Sequence, residues 1–90
     1  MVLEGKTALI TGGSSGIGLA AARALLDSGA RVAITGRSTE RLEKAAVELG
    51  GDVLPIDADV TSLTDLANMR TKLESAFGSL DIVFANAGVA

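Results

Sequence analysis

The sequence predicts a doubly wound α/β fold: a three-layer α/β/α half domain around a parallel four-stranded sheet in the order 3-2-1-4. Three observations predict it. Apolar runs of strand length alternate with helix-length stretches along the whole chain, beginning and ending on a strand. That alternation is the mark of βαβ units. The core-forming residues are nearly all aliphatic, since 48% of the 90 residues are hydrophobic while Trp and Tyr are absent and only two Phe occur. Such a composition suits parallel strands buried on both faces. Finally, a glycine cluster marks the first strand-to-helix junction. Right-handed crossovers then place the first two helices on one face of the sheet and the third on the other.

Each element has its own signal. Residues 6–11 hold the apolar run Thr7-Ala8-Leu9-Ile10, the first strand. The first helix is expected at 16–28, with Ile17, Ala20, Ala21, Ala24 and Leu25 on one face at helical spacing, and Gly29 ends it. The second strand spans 31–35. The second helix follows Gly36-Arg37, with Ser38 as N-cap and an apolar stripe of Leu42, Ala45, Ala46 and Leu49 before Gly50-Gly51. The third strand spans 53–57. Pro55 places it at a sheet edge, because proline cannot donate to a ladder. The third helix is expected at 62–77, opened by Ser62 and Asp65 in a capping-box arrangement. Its inward residues are expected to be Leu63, Leu66, Ala67, Leu73 and Phe77, and Gly78 ends it. The fourth strand covers 81–85 and runs into Asn86-Ala87-Gly88. No linker or low-complexity segment divides the chain, so residues 1–90 read as a single unit that stops after the fourth strand.

Composition narrows the function. A net charge of −3 argues against nucleic acid or an anionic membrane surface as partner. The absence of Cys removes disulfides and thiolate metal sites, and the absence of His removes the commonest general base and metal ligand. No metal site is expected. No apolar stretch reaches membrane-spanning length, and the amino-terminal residues carry no basic region followed by an apolar core. A cytoplasmic location is the expectation.

The candidate site is the turn at residues 11–18, Thr-Gly-Gly-Ser-Ser-Gly-Ile-Gly. Glycine lets the backbone turn sharply and approach a ligand closely. The following helix turns its free N–H groups and positive dipole end toward that ligand, which suits a pyrophosphate. In the register that opens after Thr11, Gly12 makes the turn, Gly16 lies near the phosphates and Gly18 packs on the sheet. A nucleotide-hydrolysing Walker loop shares the spacing from Gly13 to Gly18, but Leu19-Ala20 stands where Lys-Ser/Thr is needed.

Residues after the second strand discriminate between cofactors. An acid there would accept from ribose hydroxyls of NAD. This chain has Gly36-Arg37, and arginine pairs with a 2′-phosphate instead. Ser38 can add a donor. NADP is therefore favoured over NAD, the alternative being a solvated turn arginine. Asp59, in the Asp59-Val60 pair, can accept from the adenine amine or serve as an ordinary loop acid before the third helix, and Asp57 can play either part. Asn86 can tie the fourth strand to the first through Thr11, or line the cofactor ribose.

Together these residues resemble the short-chain dehydrogenase/reductase family over residues 6–89. The resemblance rests on Thr11 to Gly18, on Asp59-Val60 and on Asn86, Ala87 and Gly88, in that order and spacing. It implies a Rossmann-type nicotinamide-dependent oxidoreductase acting on alcohols or ketones. It implies that Gly12, Ser14, Ser15, Ile17 and Gly18 surround the pyrophosphate and that Arg37 selects NADP. Two positions depart from the family pattern: Ala85 replaces the first Asn of Asn-Asn-Ala-Gly, and Ser15 stands where some NADP-preferring members carry a basic residue. The family's Tyr-x-x-x-Lys proton-transfer pair is absent, since the sequence contains no Tyr. No catalytic residue is therefore assigned. The expected function is the N-terminal, cofactor-holding portion of such an enzyme. The alternatives are a stand-alone dinucleotide-binding module, or a structural protein that kept the fold. In either setting the open edge of the fourth strand invites self-association.

Overall fold

The computed structural model describes residues 2–12, 16–50, 53–59 and 61–85. They form strands and helices in strict alternation: β1 (Thr7–Thr11), α1 (Gly16–Asp27), β2 (Arg31–Gly36), α2 (Thr39–Leu49), β3 (Val53–Asp57), α3 (Leu63–Phe77) and β4 (Ile82–Ala85). The sheet is parallel throughout and its order is β3-β2-β1-β4, as the sequence predicts. Pro55 lies in β3, an edge strand, where its missing N–H costs no central ladder bond.

Period-two alternation divides the apolar residues between two cores. Ala8 and Ile10 of β1 and Val32 and Ile34 of β2 face Ala22 of α1 and Leu42, Ala45 and Leu49 of α2. Leu9 and Ala33 point the other way, with Ile56, toward Met69 and Leu73 of α3. Helices α1 and α2 thus cover one face and α3 the other.

Two expected helix faces need correction. On α1, Ile17 is 69% exposed and Ala20 and Ala24 are also exposed, while Gly18 and Ala22 are buried and Leu19, Leu25 and Leu26 pack beside them. Because α1 is apolar nearly all round, several phases of its pattern fit equally well. The small residues win the inward positions because they let the helix lie close to β1 and β2. On α3, Leu63 is 84% exposed and Ala67 is exposed, while Met69 and Leu73 are buried, flanked by Leu66 and Phe77. Leu63 is the first helical residue and lies beyond the edge of the sheet-facing stripe. The α2 stripe agrees with expectation, with Leu42, Ala45 and Leu49 buried and Ala46 half-buried.

Register brings the strand ends level. Thr11 pairs with Thr35 on one side and Ala85 on the other, Thr35 pairs with Ile56, and Gly36 with Asp57. Everything that follows these residues emerges at one edge of the sheet. In a doubly wound fold that carboxyl edge, near the switch in strand order between β1 and β4, is where ligands bind.

Candidate functional site

Gly12 leaves β1 with φ +72° and donates its N–H to the Thr35 carbonyl at 2.9 Å, so the turn departs from the sheet without breaking contact with β2. Gly16 opens α1 with φ +58°. A Cβ at Gly16 would meet no atom of the described residues within 4 Å, so its glycine is required by conformation. The first turn of α1 contains no acid, whereas α2 and α3 carry Glu40 and Asp65 in theirs. The N-terminal field of α1 therefore has no carboxylate of its own turn opposing an incoming anion. Gly18 is buried where α1 packs on the sheet, and Ile17 is exposed beside the turn. The predicted site residues Ser14, Ser15, Val60, Asn86, Ala87 and Gly88 lie outside the described residues. Among the described residues, β4 is tied to β1 at this edge by Thr11 Oγ1, which donates to the Phe84 carbonyl at 3.5 Å.

The ends of β2 and β3 bring two further predicted residues together. Arg37 Nη2 lies 3.3 Å from Asp59 Oδ2, with Arg37 78% and Asp59 31% exposed. Asp59 is itself firmly held. Its Oδ1 accepts from the Thr61 N–H at 2.9 Å and from Thr61 Oγ1 at 2.6 Å, and its own N–H donates to Asp65 Oδ2 at 2.8 Å. The Thr61 hydrogen bonds, with a smaller contribution from the Arg37 charge, hold the Asp59 carboxyl below its ordinary value despite some desolvation. Ser38 caps α2, its Oγ accepting from the Arg41 N–H at 3.3 Å. That bond leaves its hydroxyl proton available to a ligand. Asp57 accepts a hydrogen bond from Thr39 Oγ1.

Sequence reasoning missed Thr61, Thr39 and Asp65 as supports of this edge. Thr61 left a readable signal, because an Asp followed two residues later by Thr is the spacing of an Asx turn. Asp65 left a misleading one. It occupies the capping-box position after Ser62, and its N–H does donate to Ser62 Oγ at 3.2 Å. Its carboxylate reaches Asp59, however, because the Ser62 N–H is already engaged by the Asp59 carbonyl.

A cavity of about 380 Å³ on the α3 face takes its lining from Leu9, Met69, Leu73 and the turn before β4, Gly78 to Leu80. Among the described residues, its lining includes none of the predicted site residues. Shape alone therefore points elsewhere, and the carboxyl edge is a candidate on its donors and charges. No described helix is long and apolar enough to cross a membrane.

Comparison with known proteins gives a consistent pattern. A model of the short chain dehydrogenase family matches residues 6–90. The oxidoreductase asL5 of Sarocladium schorii is 48% identical over 86 residues, which are 96% of this chain and 34% of that protein. A short chain dehydrogenase from Bacillus anthracis superposes with a TM-score of 0.90 at 40% identity, covering 94% of this chain and 35% of the other. A 3-ketoacyl-(acyl-carrier-protein) reductase from Brucella melitensis, solved in complex with NADH, gives 0.85 at 38% identity over 90% of this chain and 33% of its own. The chain spans about a third of the length of the curated relatives it matches.

Proposed function

This chain belongs to the short-chain dehydrogenase family, and we propose that it supplies the cofactor-holding part of an oxidoreductase that moves hydride between NADP(H) and an alcohol or ketone. The observation that carries this reading is the meeting of two features at one sheet edge. One is a glycine turn at an unopposed helix N-terminus, and the other is an exposed guanidinium at the end of β2.

The residues fit such a cofactor. Positive φ at Gly12 and Gly16, with no atom of the described residues within 4 Å of a Cβ at Gly16, suits a pyrophosphate against the α1 N-terminus. Ser14, Ser15, Ile17 and Gly18 complete that cradle in this reading. Arg37, exposed at the end of β2, takes the 2′-phosphate, and the Ser38 hydroxyl donates beside it. Asp59 accepts from the adenine amine, with Val60 alongside, while Asn86, Ala87 and Gly88 line the ribose. When bound, the cofactor supplies the nicotinamide that carries hydride. The residues of this chain bind and orient it.

Calorimetric titration with NADP⁺ and NAD⁺ tests the reading. NADP⁺ is expected to bind more tightly. Arg37→Ala is expected to weaken NADP⁺ about 5- to 30-fold, roughly 1–2 kcal/mol for a charge-assisted contact discounted for exposure, and to leave NAD⁺ unchanged. Equal losses for both cofactors would refute the role of Arg37. Absence of binding by the folded chain would refute the cofactor reading altogether.

A further inference from the structure

We infer that Asp59 sets the preference between NADP and NAD by acting as an internal counter-ion of Arg37 that a 2′-phosphate must displace. This rests on the cofactor reading above and adds to it a specificity-determining role for an acid.

Asp59 is anchored by two hydrogen bonds from Thr61 to Oδ1 and by its own N–H to Asp65. Arg37 is 78% exposed, and its contact with Asp59 is one Nη2 to Oδ2 approach of 3.3 Å. That is a single, long contact and not the forked pair arginine makes with a carboxylate at its best. The guanidinium is thus the mobile half, and the pair is weak enough for a ligand to break.

Asp57 and Asp59 lie at or just after the end of β3 and Asp65 lies in the first turn of α3, whereas Arg37 is the cation paired with Asp59. A 2′-phosphate bound at Arg37 brings negative charge toward the fixed Asp59 carboxylate. Two effects then share one sign. The phosphate must replace Asp59 as the partner of Arg37, and it must tolerate the carboxylate left behind. NAD carries a hydroxyl at this position and experiences neither effect. Asp59 consequently discriminates against NADP while Arg37 discriminates for it, and the net preference is the difference between them. Asp59 acts here through Arg37 and is a positioning residue in that role. Any contact it makes with adenine is common to both cofactors and cancels in their ratio.

Asp59→Asn removes the charge but keeps an Oδ1 acceptor for Thr61, so the loop retains its turn. The ratio of NAD⁺ to NADP⁺ dissociation constants is measured by calorimetry for the parent chain, Asp59→Asn, Arg37→Ala and the double variant, at low and high salt. The ratio is expected to rise about two- to fivefold in Asp59→Asn, the size of an exposed ion pair. The rise is expected to shrink at high salt, and to diminish in the Arg37→Ala background, where no guanidinium remains to release. A ratio that is unchanged or falls in Asp59→Asn, while Arg37→Ala still lowers it, overturns the counter-ion role and leaves the cofactor reading standing. Affinities for both cofactors that fall together with a constant ratio also overturn it, since that is the signature of a purely structural or adenine-directed acid. Failure of Arg37→Ala to alter the ratio overturns the underlying reading instead.

Discussion

Thr35 has no accessible surface, and its hydroxyl finds no hydrogen-bond partner among the described residues. A buried hydroxyl without a partner costs about 1–3 kcal/mol by protein mutational measures. Thr35→Val keeps the shape and removes the orphan, so it is expected to raise stability by about 1 kcal/mol. Urea unfolding followed by circular dichroism reads this as a higher midpoint at an unchanged slope. Its register neighbour Thr11 shows the contrast, with a hydroxyl that donates to the Phe84 carbonyl. At this scale the site was partly legible. Gly12, Gly16, Arg37 and Asp59 could each be chosen from residue type and position after a strand. The ion pair between Arg37 and Asp59 could not, because residues 22 apart meet only through the β2–β3 register that sets Gly36 opposite Asp57. The orphan at Thr35 was hidden for the same reason: partners of a hydroxyl are tertiary facts.

The helices show how much of an element its own letters specify. Ser38 and Ser62 cap α2 and α3 as the sequence implies, each accepting from the N–H three residues on. Ser62→Ala is expected to lower stability by about 1 kcal/mol, within the range of roughly 0.5–2 for lost caps. Thermal unfolding checks it, and an unchanged midpoint would mean that Asp65 and the Asp59 loop hold the helix start without the hydroxyl. The stripe of α2 was legible because Glu and Lys residues interrupt its apolar positions and leave one inward phase. Helix α1 offers only Arg23 and Asp27 as polar markers, and Ala is neutral between core and solvent. Its phase is visible once Arg23 is placed. The guanidinium reaches across to the Glu48 and Leu49 carbonyls at 3.0 and 3.2 Å, joining the last turn of α2 to α1. A cation there complements both the free carbonyls and the negative end of the α2 dipole.

The whole molecule depends on β4 docking beside β1, a contact between the two ends of the chain. The order 3-2-1-4 was legible because parallel βα repeats admit few right-handed windings. The latch that secures β4 was not, since nothing local marks Asp81 as more than the first residue of the expected fourth strand, which in the structure begins at Ile82. Its Oδ2 accepts from the Thr7 N–H at 2.9 Å and from Thr7 Oγ1 at 3.2 Å, while the Asp81 N–H donates to the Thr7 carbonyl at 3.1 Å. The backbone hydrogen bond from Thr7 is the largest cause holding the Asp81 carboxyl below its ordinary value of 3.8. Linkage fixes the sign. A carboxyl whose pKa is lower in the folded state stabilises the fold in full above its unfolded value, and that stabilisation is lost as pH falls through the folded value. Asp59 is shifted in the same direction, so both groups act together. Stability is therefore expected to decline as the solution is acidified below 3.8, the value both carboxyls would have unfolded. Asp81→Asn separates the latch from general acid unfolding, because it removes one titrating group and leaves the chain otherwise intact. At neutral pH the variant is expected to be less stable than the parent, and the gap between them should close as pH drops through the folded value. Urea midpoints measured across that range decide the matter. A gap that stays constant with pH would show that Asp81 contributes by packing or hydrogen bonding alone, and that its charge does not hold β4 to β1.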